Sequence, residues 1–160
     1  MNIRIFFNLL LLFSFAMSQG KSQQQGFDKS AFYTAIAAGK VDAVDAQLSS
    51  LKESSMAEKE AYEGALLMKK AGLVSKIRDK LNFFKSGRSK LESSISKDKN
   101  NTEYRFLRLI IQEHAPGIVN YRNDLDEDSK LINKNFKNLS PFLQQQITDY
   151  SKKSKVLKTP

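Results

Sequence analysis

Arg105, Arg108 and Gln112 lie three and four residues apart, the interval that puts side chains on one stripe of an α-helix. Two guanidinium groups so placed could grip a carboxylate or phosphate with the forked donors that arginine presents. The same stripe also reads as a solvated helix edge whose aliphatic stems cover apolar neighbours, the commoner fate of surface charge. Downstream, Asp124-Leu125-Asp126-Glu127-Asp128 opens like the D-x-D-x-D of a calcium loop. Such a loop needs glycine at its sixth place and a bidentate carboxylate at its twelfth. Those places hold Ser129 and Asn135, so acids gathered at the positive end of a helix are the simpler reading.

His114 is the only histidine of the chain, and there is no cysteine and no tryptophan. Thiol or imidazole zinc sites are therefore improbable, as is a nucleophilic triad, which would have His114 as its single imidazole. His114 falls in the last turn of a predicted helix, where capping or packing is its expected work. No glycine-rich phosphate loop occurs, and neither cofactor nor metal is expected. A paired-carboxylate hydrolase stays open as a minor alternative, since the separation of acids cannot be read from sequence. Residues 69–90 hold eight basic side chains and one acid, Asp79. They read either as an anion-binding patch or, because they scatter around the helix, as a solvated surface.

The 160 residues suit one domain with a single core. Arg4 followed by an apolar run from Ile5 to Phe15, then Ala16 and Ser18, has the pattern of a secretory leader cut after Ala16 or Ser18. The run is short for a membrane span and Asn8 interrupts it, so a retained anchor is the lesser alternative. Export to the periplasm or beyond is the expectation. The organisation read from the sequence is a leader at 1–18, a polar tether at 19–26, a helical domain at 27–151 and a loose basic tail at 152–160. The formal charge of +9 would fall to about +8 with loss of Arg4, leaving a domain attractive to anionic glycan or lipid headgroups. Export argues against nucleic acid as a partner.

The elements that must position these residues are all helices. Asn101 or Thr102 caps a helix whose Phe106, Leu107, Ile110 and Ile111 make a broad apolar face, and Pro116 stops it. This is the predicted central rod. Before it, Asp28 or Ser30 starts a helix that Gly39 ends, and a second from Val41 turns back on it as a hairpin. Ser55-Met56-Ala57-Glu58 has the form of a capping box. It would open a helix with a seam of Ala57, Ala61, Gly64 and Met68. Residues 73–97 are predicted as two helices, since Arg88 would fall on the apolar face of a continuous one and Ser86-Gly87 offers a break. Two more helices follow, from Asn123 or Asp124 to Asn138 and from Ser140-Pro141 onward. The fold expected is all-α: about seven helices in stacked antiparallel hairpins or an irregular bundle.

Gly87, Leu91 and Ser94, followed by Asp98-Lys99-Asn100-Asn101, resemble the second helix and exit turn of a tetratricopeptide repeat, with a lysine where that motif usually has proline. The leader, Glu63-Gly64-Ala65-Leu66-Leu67-Met68-Lys69-Lys70-Ala71-Gly72 and Tyr104-Arg105-Phe106-Leu107-Arg108-Leu109 are similar to stretches of small exported helical proteins of the Bacteroidetes. That resemblance transfers no functional residue. The expectation is a non-enzymatic exported domain that binds a protein or peptide in a helical groove, with Arg105, Arg108 and Gln112 as candidate contacts. Electrostatic association with envelope anions is the alternative.

Overall fold

A computed structural model describes residues 27–158; the leader, the tether and the last two residues of the tail lie outside them. Seven α-helices follow in order: α1 (Lys29–Ala38), α2 (Val41–Glu53), α3 (Lys59–Leu73), α4 (Ile77–Lys97), α5 (Thr102–His114), α6 (Leu125–Asn135) and α7 (Pro141–Ser151). Short 3-10 turns at Gly117–Val119 and Phe136–Asn138 precede and follow α6. No strand occurs among the described residues, so the all-α expectation holds.

Several helix ends form for the reasons the sequence states. The Asp28 carboxylate accepts from the amides of Ser30 and Ala31, and the Asn101 side chain accepts from Tyr104. Ser140 does the same for Leu143, with Pro141 opening α7. Gly39 ends α1 at φ 62°, a left-handed conformation that costs little only without a Cβ.

Three expectations are corrected. The Ser55–Glu58 capping box does not form: Glu58 precedes α3 without any side-chain cap. The chain turns instead on Ser54, whose hydroxyl accepts from Met56, while Lys59 Nζ binds the carbonyls of Lys52 and Ser54 at the end of α2. Residues 77–97 form one helix, not two. Gly87 lies inside it because α3 comes so close: a Cβ there would sit 2.6 Å from the Gly64 carbonyl oxygen. The seam around Gly64 thus does what its small residues promise, and α3–α4 is the most extensive helix pairing of the domain. Arg88 escapes the predicted conflict by remaining exposed and laying its guanidinium over the Tyr121 ring, 4.7 Å from its centroid. Finally, residues 152–158 are not a loose tail. Ser154 and Leu157 are buried, and Glu113 accepts from the Tyr150 hydroxyl at 2.9 Å, the Ser154 hydroxyl at 2.7 Å and the Lys155 amide.

The central rod is α5, and it is covered on every side: all residues from Tyr104 to Gln112 are buried. Phe106 meets Tyr33 of α1 and Tyr150 of α7, while Phe32 meets Tyr62 of α3 edge-on. Glu103 ties three helices together, accepting from Lys29 and Tyr33 of α1 and from Tyr62 of α3. Burial, followed by the neighbouring Glu103 charge, pushes both tyrosine hydroxyls well above their ordinary pKa, so they remain donors.

Candidate functional site

A rod enclosed all round has no solvated edge, and this decides the place of the predicted binding stripe. Arg105, Arg108 and Gln112 are brought together, but inside, under α6. Asp128 is completely buried between the two arginines. Arg108 Nε and Nη2 reach its two carboxylate oxygens at 2.7 Å each, and Arg105 Nη1 reaches it at 3.0 Å. Arg108 Nη1 also binds Glu92 of α4 at 3.0 Å and lies 3.4 Å from Asp124. Gln112 Nε2 donates to Asp124 at 2.8 Å; the side-chain oxygen Oε1 of Gln112 is buried without a donor among the described residues. Tyr121 closes the set by donating to Glu92.

The carboxylate gripped by the arginine fork is therefore the protein's own. Burial raises the pKa of the Asp128 carboxyl above its ordinary value, against the opposing pull of the Arg108 and Arg105 guanidinium groups. With three donated bonds of 2.7–3.0 Å, the ionised form is the one this geometry holds. The acidic run is accounted for in the same way: Asp124 and Asp128 are turned onto Gln112 and the arginines. Among the described residues no group of three or more metal-ligating side chains gathers. His114, at the exposed end of α5, directs Nδ1 to the Ile110 carbonyl at 3.0 Å. A carbonyl only accepts, so that nitrogen carries the hydrogen.

Concave surfaces remain elsewhere on the domain, and Arg105, Arg108 and Gln112 line none of them. One is an apolar groove of about 380 Å³ where the end of α3, the first half of α4 and the segment after α5 meet. Among the described residues Ile77 (75% exposed), Leu81 (47%) and Ile118 (93%) are the large hydrophobic side chains left open to solvent, and all three line it. Phe84, Ile111 and Val119 complete its walls. The basic character of this part of α4 is likewise uncompensated: Lys76, Arg78, Lys80 and Lys85 meet no acidic side chain among the described residues. Elsewhere on α3 and α4, Lys70 pairs with Asp45, Lys90 with Glu63 and Lys97 with Glu60.

The sequence carries the signal for this groove, though it reads there as core. Ile77 and Leu81 belong to the apolar face of α4, but only the C-terminal part of that face, with buried Leu91 and Ile95, is fully covered. A second surface is a smaller cleft of about 180 Å³ between α1, α3, α5 and α7, with Lys69, His114 and Lys153 among its lining residues. No helix among the described residues is long and apolar enough to cross a membrane. No protein family, curated protein or solved structure matches the chain.

Proposed function

We propose that this is an exported helical binding domain that seats an acidic amphipathic helix of a partner protein in the groove of Ile77, Leu81 and Ile118. The observation that carries the reading is the coincidence of two features on one half-helix. Ile77, Leu81 and Ile118 converge there, with Lys80 on the lining and Lys76, Arg78 and Lys85 on the same stretch of chain, none of the four paired with an acid among the described residues. Contiguous exposed apolar surface favours a partner, and a groove of this kind suits the apolar stripe of a helix at i, i+3, i+4 and i+7. Its volume falls in the range of about 300–1,000 Å³ usual for binding pockets. The flanking cations favour acids on the partner's other face and hasten encounter. Export rests on the leader pattern of residues 1–18.

Arg105, Arg108 and Gln112 support such a role indirectly, by fixing α6 on α5. The test is fluorescence anisotropy with a labelled sixteen-residue acidic amphipathic peptide, its basic counterpart and a scrambled sequence. Saturable binding of the acidic peptide alone is expected. Leu81→Asp and Ile118→Asp, both at exposed positions, should weaken it about tenfold or more, the scale of a hot-spot loss. Equal binding of the scrambled peptide, or affinity unchanged in both variants, would overturn the reading. Binding to anionic vesicles that survives both substitutions and fades with added salt would instead assign this face to an anionic surface.

A further inference from the structure

The smaller cleft differs from the groove in chemistry. Lys69 is half-buried there and has no acidic partner among the described residues; Lys153 lines the same cleft with its ammonium over the Tyr150 ring at 5.6 Å. Burial, then the nearby Lys153 charge, lowers the pKa of Lys69, and no carboxylate contributes in the other direction. The one acid on the lining, Asp149, already accepts from Gln145 at 2.8 Å and Lys152 at 2.7 Å. The floor is apolar and aromatic, formed by Ile36, Phe106 and Ile110. His114 Nδ1 is committed to the Ile110 carbonyl, which leaves its other ring nitrogen unassigned by any bond within the domain.

We infer that this cleft binds a small organic carboxylate. The carboxylate lies beside Lys69 and Lys153, and a compact apolar body rests against the accessible edges of Ile110 and Tyr150. Two neighbouring cations lining one cleft without a counter-ion raise each other's cost of ionisation, and an anion bound beside them lowers that cost. An apolar floor with a few convergent polar groups is the usual composition of a small-ligand site. The volume of about 180 Å³ is below the range of about 300 Å³ and above that drug-sized ligands occupy, so the occupant is no larger than a single ring or a short chain. Lys69 has a purely structural alternative, since its ammonium lies near Gly39 at the C-terminal end of α1, where a cation is favoured. That role predicts a change in stability; the binding role predicts a change in affinity.

The experiment is titration of the protein with benzoate, benzamide and inorganic phosphate, followed by amide and side-chain NMR shifts. Benzoate is expected to give saturable shifts at Ile110 and Tyr150, and the other two probes to bind at least tenfold more weakly. Lys69→Gln and Lys153→Gln should each weaken benzoate about tenfold, the loss of one charge-assisted hydrogen bond, while Lys130→Gln on exposed α6 leaves it unchanged. Lys153 is exposed, so its variant decides the matter even if Lys69→Gln fails to fold. Benzamide binding as tightly as benzoate, phosphate binding equally, absence of saturable shifts, or unchanged affinity in Lys153→Gln would each overturn the assignment. Ile118→Asp should leave benzoate affinity intact, which separates this site from the peptide groove.

Discussion

Replacing Asp128 by alanine tests the enclosed ionic set directly. Asp128 is 0% exposed and satisfies donors from both Arg105 and Arg108, which are themselves almost entirely buried. Its removal leaves two largely buried guanidinium groups, Arg108 with Glu92 and Asp124 as its acids and Arg105 with only the exposed Glu127. Removing one partner of a buried ion pair costs about 3–5 kcal/mol, a large fraction of the roughly 5–15 kcal/mol that holds a domain together. At about 2–4 °C per kcal/mol for a chain of this size, the midpoint of thermal unfolding should fall by roughly 6–20 °C. Glu127→Ala provides the contrast. Glu127 lies 3.1 Å from the same Arg105 nitrogen, but its side chain is 66% exposed, and such pairs contribute under about 1 kcal/mol. Urea unfolding followed by circular dichroism measures both variants. A loss below about 1 kcal/mol in Asp128→Ala would refute the burial argument, because only a hydrated pair tolerates such a cut. Equal losses in the two variants would refute it as firmly.

Gly87→Ala should destabilise by about 1–3 kcal/mol, as overpacking does, because its Cβ would meet the Gly64 carbonyl and the Met68 amide, which cannot rotate aside. Gly72→Ala, also helical but with nothing within 4 Å of a Cβ, should stabilise by about 0.4–1 kcal/mol; the same sign in both variants, read by urea unfolding, would contradict the close approach of α3 and α4. The C-terminal strap should loosen in acid. Burial raises the Glu113 carboxyl, but the bonds from Lys155, Ser154 and Tyr150 and the nearby His114 outweigh it and set the pKa below the usual 4.5. A carboxylate depressed in the folded state contributes stability above its unfolded pKa and loses it as pH falls through the folded one. Hydrogen exchange at the Leu157 amide, which donates to Ser154, should therefore accelerate relative to the core below about pH 4.5, and Glu113→Gln should show the faster exchange already at neutral pH. Exchange in the parent protein that ignores pH across this window would show that Glu113 does not hold the strap.

The helices were legible in the sequence wherever one local signal sufficed. Asp28, Gly39, Asn101, Pro116 and Ser140-Pro141 act within a turn or two of themselves, and each marks an end that forms. The features misread depend on what arrives from elsewhere in the chain. Gly87 looks like a break because nothing nearby in sequence explains a small residue there; the explanation is the Gly64 carbonyl, twenty-three residues away. Ser55–Glu58 has the letters of a capping box, but Ser54 and the reach of Lys59 across to α2 hold the turn in a different place. The lysines at 152–158 look like a solvated tail by composition, whereas Ser154 and Leu157 between them carry the docking.

The polar stripe of α5 shows why the functional surface was harder to find than the fold. Charge spacing on one helix identifies a stripe but not what faces it, and Arg105 with Arg108 is equally suited to an external anion or to Asp128 twenty residues on. Coverage decides between them. The apolar positions of α5 already occupy more than half its circumference, and once α6 lies on the remainder the arginines are almost cut off from water, so an internal carboxylate is needed to compensate them. The complementary reasoning locates the surface left for other molecules. Lys70, Lys90 and Lys97 each find an acid on a neighbouring helix, whereas the first half of α4 extends beyond that coverage with Ile77 and Leu81 open and its four cations unmatched. In this fold an unmatched charge beside an uncovered apolar side chain is a better guide to binding than a regular stripe of arginines, because the domain's internal acids have been used where the helices overlap.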